Sequence, residues 1–275
     1  MRSFVFLFLS FFICEHTFAQ TTASLEQQLN KSRVRLPNGW HLSPAGRMLP
    51  LGDFPLNIAV SKTQRFIAVT NNGQSVQSLQ LIDPKAEKIL HSIIIPKSWY
   101  GLTFSEDEKF LYASGGNDNW ILQYAIANNR LQLKDSIKLG AKWPAKISPA
   151  GITLDDKAGL LYVVTKENNA LYVVELRTKK IVHEEKLGHE AYACLLSKDK
   201  KELYISSWGG DQVIVFNTTT RSITSRIAVG DNPNELLLNK NGTLLFVANA
   251  NDNSVSVIDI KQRKVLEVLN TALFP

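Results

Sequence analysis

The sequence predicts an all-β protein, a β-propeller of four-stranded blades, of which five repeats are visible. One observation is a recurring Leu-Tyr strand, seen at Leu161–Val163 and Leu203–Ile205. A second is its spacing, because Tyr162, Tyr204 and Phe246 follow one another at intervals of about 42 residues. A third is that no repeat shows a sustained 3.6-residue period, which argues against a helical solenoid. A β-sandwich is the competing architecture, but it does not require a fixed repeat.

Each repeat divides into four short strands. The first is apolar and ends at a turn residue, as in Leu236–Asn239, and the Leu-Tyr strand follows it. After a loop rich in Asn, Gly and Asp, the third strand alternates, as in Val255–Asp259, and the fourth resembles Lys264–Val268. We expect the repeats at residues 52–96, 97–148, 149–188, 189–230 and 231–275, within a propeller region that spans 37–275.

The N-terminus has the pattern of a secretory signal. Arg2 precedes an apolar run over Phe4–Cys14, and Thr17–Ala19 forms a small-x-small cleavage site. The apolar run is shorter than the roughly 20 residues that cross a bilayer, so we expect no membrane insertion. A transmembrane anchor or a lipoprotein anchor at Cys14 is the alternative. The sequence therefore predicts a signal peptide at 1–19, a linker at 20–36, and a periplasmic or secreted protein after cleavage near Ala19.

The charge and the cysteines exclude two further features. The net charge of +6 is scattered along the chain rather than concentrated on one face, so we expect no nucleic-acid partner. Cys194 alone remains after signal cleavage, which rules out an intramolecular disulfide bond. Its apolar neighbours predict a small core residue rather than a nucleophile.

The last repeat resembles a known family. Leu245–Asn249, Asn253–Asp259 and Lys264–Val265 are similar to the YVTN-type β-propeller repeat, and the resemblance extends over about residues 52–275. It implies a propeller fold but no single function, because such repeats are found in surface-layer proteins, lactonase-like enzymes and haem-binding propellers.

A narrower resemblance concerns the segment before the repeats. Leu36–Trp40, Ser43–Gly46 and Pro50–Pro55 resemble the beginning of exported bacterial propellers that are joined to an alkaline-phosphatase-like phosphoesterase domain, the YncE-like group. Relatives of this type usually have seven blades, so the resemblance implies that the five visible repeats are part of a seven-bladed ring. The resemblance implies the propeller part of such a protein, with two blades and the catalytic domain missing; a complete five-bladed ring is the alternative. We also expect a strand at Arg47–Leu51, which would complete the last blade.

Standard catalytic and metal-binding signatures are absent from the sequence. The histidines outside the predicted signal peptide do not share a blade position, so we predict no catalytic residue, no metal site and no cofactor.

Aromatic residues are concentrated in loops that belong to one propeller face. Loops between blades and loops that join the second and third strands emerge together, and large rings with polar edges suit a binding mouth. The alternative is that these rings pack neighbouring blades together. The candidate mouth consists of Trp99, Tyr100, Trp120, Lys142, Trp143, Lys146, His189, Tyr192 and Trp208.

Two further features lie on the same face. The loop Gly140–Pro149 is longer than its counterparts and ranks first for ligand contact. Asp118, Asp211 and Asp252 occupy nearly equivalent positions, and we expect each to cap its own turn; a cation site is the alternative.

These observations predict a non-catalytic binding or scaffold propeller. Its ligand would be a small molecule or a protein held at one face, and a phosphoesterase domain is the partner that the narrower resemblance implies. A lactonase-like hydrolase is the first alternative, and a cofactor-carrying propeller is the second.

Overall fold

The computed structural model describes residue 27 and residues 33–36, 38–42 and 47–271. The predicted signal peptide at 1–19 lies outside the described residues. The chain divides into two compact units, Met1–Pro50 and Leu51–Pro275. In the first unit, strand β1 (Val34–Arg35) pairs antiparallel with β2 (His41–Leu42). Among the described residues, no helix is long and apolar enough to cross a membrane.

The strand predicted at Arg47–Leu51 does not form. All of these residues are described, and none of them is part of a strand. Pro50 has no backbone N–H to donate to a neighbouring strand, which weakens any ladder at this point.

The second unit consists of five four-stranded antiparallel sheets, which confirms the predicted all-β propeller. Within each sheet the strands pair in chain order, from the inner strand to the outer strand. Blade 1 contains β3 (Pro55–Val60), β4 (Ile67–Asn71), β5 (Ser78–Asp83) and β6 (Lys88–Ile94). Blade 2 contains β7 (Leu102–Phe104), β8 (Phe110–Ser114), β9 (Trp120–Ala127) and β10 (Arg130–Lys138). Blade 3 contains β11 (Pro149–Asp155), β12 (Leu160–Thr165), β13 (Ala170–Glu175) and β14 (Lys180–Lys186). Blade 4 contains β15 (Ala191–Leu196), β16 (Glu202–Ser207), β17 (Gln212–Asn217) and β18 (Ser222–Ala228). Blade 5 contains β19 (Pro233–Leu238), β20 (Leu244–Asn249), β21 (Ser254–Asp259) and β22 (Lys264–Asn270).

The core lies between blades rather than within one sheet. Tyr162 and Leu171 of blade 3 pack with Leu203 and Phe216 of blade 4, and similar clusters join the other neighbouring pairs. Because both faces of a middle strand are covered, β12 and β13 are buried almost throughout, whereas the outer strand β14 is mostly exposed. Cys194 belongs to one of these clusters, as predicted, and burial raises the pKa of its thiol.

The inner strands approach one another closely around a central cavity. Gly101, Gly151 and Ala193 occupy corresponding positions on the inner edges of blades 2, 3 and 4 and line a cavity of about 150 Å³. A Cβ atom at Gly101 would lie 2.2 Å from the carbonyl oxygen of Ala150, and one at Gly151 would lie 2.6 Å from the Cα atom of Ala193. Small residues are therefore required here for the blades to meet.

An ion-pair network joins blades 2, 3 and 4 through their first-to-second-strand turns. The Nζ atom of Lys200 lies 2.7 Å from Oε1 of Glu106 and 3.0 Å from Oδ1 of Asp155. Lys62 of blade 1 reaches the same Glu106 at 3.4 Å. The Lys200–Glu106 contact links blades 2 and 4, which are not adjacent in the chain.

Candidate functional site

Five loops from the first three blades enclose one pocket, which we call the rim pocket. It has a volume of about 400 Å³ and combines loops between blades with loops that join second and third strands. The lining consists of Gln77, Lys97, Ser98, Trp99, Gly116, Asn117, Ser148, Lys166 and Glu167.

One wall of the rim pocket is fixed by a short hydrogen-bonded cluster. The hydroxyl of Ser98 donates to Oδ1 of Asn72 at 2.7 Å, and Nδ2 of Asn72 donates to the carbonyl oxygen of Ser98 at 2.8 Å. The backbone N–H of Ser98 donates to Oε1 of Gln77 at 3.0 Å. These bonds hold the loop between blades 1 and 2 against blade 1.

A second wall depends on Asn119, which has φ of +57° and is fully buried. Its Nδ2 atom donates to the carbonyl oxygens of Ala141 at 2.6 Å and Ala145 at 2.7 Å, and its Oδ1 atom accepts from the N–H of Ser148 at 2.9 Å. The hydroxyl of Ser148 donates to Oδ1 of Asn117 at 2.8 Å. One side chain thus anchors the loop Gly140–Pro149, which the sequence ranked first for ligand contact.

Two lysines stand at the pocket. Lys97 pairs with Asp118 at 3.2 Å, and Lys166 pairs with Glu190 at 3.7 Å. The Nζ atom of Lys166 also lies 5.1 Å from the centroid of the Trp99 ring. The pocket therefore combines cations, amides and one aromatic ring.

Among the nine predicted mouth residues, Trp99 is the one that lines the rim pocket. Three others form a separate stack: the ring centroids of Tyr100 and Tyr192 are 4.5 Å apart, and those of Tyr192 and Trp208 are 5.9 Å apart with an edge-on geometry. Tyr100 is 9% exposed, so its ring contributes chiefly to packing.

Trp120 and Trp143 differ from each other in environment. Trp120 packs partly against the core between blades 1 and 2, and a Cβ atom at Gly115 would lie 1.8 Å from its ring. The Nζ atom of Lys142 lies 4.4 Å from its centroid. Trp143 is 55% exposed and has Lys146 at 5.9 Å. Trp120 is therefore part of the packing between blades, whereas Trp143 lies at the surface, although the sequence predicts both on the same face.

His189 is exposed and lies beside Gly210, where a Cβ atom would be 2.9 Å from the imidazole Cδ2 atom.

Three tryptophans have a buried indole N–H for which no described residue provides an acceptor: Trp99, Trp120 and Trp208.

The three aspartates do not cap their own turns in the way that the sequence suggested. Oδ1 of Asp211 accepts from the N–H of Asn232 at 3.1 Å, and Oδ2 of Asp252 accepts from the N–H of Asp231 at 2.7 Å. Asp118 pairs with Lys97. Asp211 and Asp252 instead fix the loop between blades 4 and 5, because the turn and that loop lie side by side on the same face. No described group of three or more His, Cys, Asp or Glu residues could hold a metal ion.

Several polar residues that line the cavities were not predicted from the sequence. Lys97, Asn117 and Lys166 line the rim pocket. The available signal was their position: Lys97 lies in the inter-blade loop of Trp99, and Asn117 and Lys166 lie in loops that join second and third strands. Glu235 lines the central cavity on the inner strand of blade 5. It is accessible to solvent there, but the surrounding protein removes much of its hydration, and this desolvation raises the pKa of its carboxyl.

Comparisons with known proteins agree with this fold. The family model described as "Lactonase, 7-bladed beta-propeller" matches residues 179–271, which is about a third of the chain and includes blades 4 and 5. The search of curated proteins found no match. The chain is thus similar, over its last two blades, to a lactonase-type propeller family.

Two solved structures are similar over most of the chain. Hydrazine synthase from Kuenenia stuttgartiensis has 15% identity and a TM-score of 0.65, and the match covers 80% of this chain and 76% of that one. A functionally unknown protein from Desulfotomaculum acetoxidans DSM 771 has 15% identity and a TM-score of 0.67, with 86% and 78% covered. At this identity the similarity shows the fold alone.

The fold and these similarities define the chain as a β-propeller protein. Its particular relationship is the match of blades 4 and 5 to the lactonase-type model, whose family is described as seven-bladed, whereas the described residues form five blades.

Proposed function

We propose that this chain is a periplasmic or secreted binding propeller that holds its ligand in the rim pocket. The observation that supports this proposal is the pocket itself. It has about 400 Å³ of space, within the range typical of small-molecule sites, and its walls are fixed by hydrogen bonds before any ligand arrives.

A fixed site loses little conformational freedom on binding, which favours affinity. Trp99 offers a flat apolar surface, and Lys97, Asn117 and Lys166 offer polar contacts around it. The combination of one aromatic ring with a few fixed polar groups is typical of recognition sites.

The experiment is a ligand screen by intrinsic tryptophan fluorescence and ligand-observed NMR, with the mature chain and two variants. We expect Trp99→Leu to abolish binding of any hit and Trp143→Leu to retain it, because only the first ring lines the pocket. Both variants are compared with the parent by thermal melting. A hit that survives Trp99→Leu in a folded protein would contradict the assignment of the site.

The resemblance of the N-terminal segment supports a phosphoesterase-type partner, for which the propeller acts as a recognition or scaffold module. Affinity purification of the tagged chain from its native cells, followed by hydrolysis of p-nitrophenyl phosphate, tests this. We expect phosphatase activity to co-purify with the propeller; the same preparation without activity would contradict the partnership.

Lactone hydrolysis is the second candidate, and the lactonase-type match over residues 179–271 favours it. Glu235 lies within that match and has a raised carboxyl pKa, so its ionised form could take a proton from water. The water oxygen would attack the lactone carbonyl carbon, the ring C–O bond would break, and the released oxygen would take up a proton to give the hydroxy acid. Acid release in a pH-stat, lost in Glu235→Gln and retained in Lys97→Gln, would favour this candidate over simple binding.

A further inference from the structure

We infer that the ligand of the rim pocket is a small organic carboxylate. This inference rests on the proposed binding function and adds the chemical class of the ligand. It follows from which hydrogen-bonding atoms of the lining are already engaged and which are left for a ligand.

The lining amides have engaged their oxygen atoms. Oε1 of Gln77 accepts from the backbone of Ser98 at 3.0 Å, and Oδ1 of Asn117 accepts from the hydroxyl of Ser148 at 2.8 Å. Each oxygen thus already accepts one hydrogen bond, whereas no described residue accepts from either NH₂ group, so these donors are the amide atoms most open to a ligand. Ser98 and Ser148 are 5% and 6% exposed, so their hydroxyl oxygens are largely covered.

The lysines add charged donors that can change partners. Lys97 is 48% exposed beside Asp118, and Lys166 is 36% exposed at 3.7 Å from Glu190. Both lysine side chains reach solvent, where an ion pair adds little to stability, so each lysine can exchange its carboxylate partner for a ligand. A ligand carboxylate that also accepts from amide N–H groups can compete for these cations, because charge-assisted hydrogen bonds are stronger than neutral ones.

This set of donors discriminates between ligand classes. A carboxylate supplies acceptors and needs no acceptor in return, whereas each hydroxyl of a polyol brings a proton that requires one. Glu167 is the lining carboxylate and is exposed, so it opposes an anionic ligand without blocking the pocket. Trp99 supplies a flat surface for an apolar part of the ligand.

Three probes with the same ring test the class: benzoate, benzamide and benzyl alcohol. Affinities are measured by ligand-observed NMR on the mature chain at low and high NaCl. We expect benzoate to bind about tenfold more tightly than the other two, since one charge-assisted contact corresponds to about a factor of ten. Its affinity should fall with salt, whereas that of benzamide should not.

Variants connect the preference to the pocket. Lys97→Gln with Lys166→Gln should lower the affinity for benzoate about tenfold more than the affinity for benzamide, which removes the preference, and Glu167→Gln should strengthen benzoate binding. Lys142→Gln is the matched control, because Lys142 lies over Trp120 rather than in the lining. Lys97→Gln alone serves as the second variant if the double variant does not fold.

The outcomes separate the inference from the function on which it rests. If benzamide or benzyl alcohol binds as tightly as benzoate, and Trp99→Leu abolishes that binding, the carboxylate class is wrong and the binding site stands. If the lysine variants keep the preference for benzoate, the inference is also wrong. If none of the three probes binds, the carboxylate inference fails, and the ligand screen with Trp99→Leu decides separately whether the pocket binds any ligand.

Discussion

The rings of Tyr100 and Tyr192 lie 4.5 Å apart, with an angle of 49° between their planes. They belong to the inner edges of blades 2 and 4, so the contact passes beside blade 3. The edge-on contact of Tyr192 with Trp208 extends the stack. Together with the Lys200–Glu106 ion pair, which also joins blades 2 and 4, these rings connect blades that are not sequential neighbours.

Replacement of Tyr192 tests the contribution of this stack. Tyr192→Leu removes two aromatic pairs, each contributing about 0.5–1.5 kcal/mol, so the free energy of unfolding should fall by about 1–3 kcal/mol. Tyr192→Phe keeps the ring and should change stability by less than about 0.5 kcal/mol. Urea denaturation measures both. Equal stability of the two variants would show that the rings touch without stabilising the fold.

Replacement of a packed tryptophan should lower the free energy of unfolding more than replacement of an exposed one. Trp208→Ala removes a partly buried ring that contacts Tyr192, and we expect a loss of about 2–4 kcal/mol. Trp143 is 55% exposed, so Trp143→Ala should cost less than about 1 kcal/mol. Thermal melting of both variants is sufficient. The reverse order would mean that the exposed ring is the structural one.

Asn119 should control the order of the loop Gly140–Pro149. Asn119→Gly retains access to the left-handed backbone but loses three hydrogen bonds, so we expect a loss of about 1–3 kcal/mol. Hydrogen exchange in a peptide covering this loop should become faster, while exchange in blade 5 stays the same. Asn119→Asp keeps the acceptor but places a carboxylate oxygen against the carbonyl oxygens of Ala141 and Ala145 in a fully buried site, so it should destabilise the protein at least as much as Asn119→Gly. Unchanged exchange in the loop would contradict the anchoring role.

Buried tyrosines should make the protein less stable in alkali. Burial raises the pKa of Tyr124 to about 12. Between the unfolded value of about 10 and this folded value, the unfolded chain loses a proton that the native state keeps, so stability falls as pH rises, by about 1.4 kcal/mol per pH unit. Urea denaturation between pH 9 and 11 should show a shallower decline for Tyr124→Phe than for the parent. Parallel pH profiles for the two proteins would rule out this contribution.

The fold could be predicted from local patterns because each blade is built from four strands that are consecutive in the chain. Strand alternation and turn residues recur within each repeat, and both faces of the Leu161–Val163 strand read as apolar because neighbouring blades cover them. Asp211 and Asp252 were misassigned for the opposite reason: their partners, Asn232 and Asp231, lie in the loop between blades 4 and 5, in each case 21 residues away in the chain.

By itself, then, the sequence determined the number of described blades, the strand order within each and the burial of Cys194, since period and spacing act over a few residues. The tertiary structure decided which polar groups meet. Lys200 and Glu106 are separated by 94 residues, and Lys97, Asn117 and Lys166 come from three loops. Whether such groups reach one pocket depends on the distance between neighbouring inner strands. Gly101, Gly151 and Ala193 determine that distance through backbone contacts between blades, which no local sequence pattern encodes.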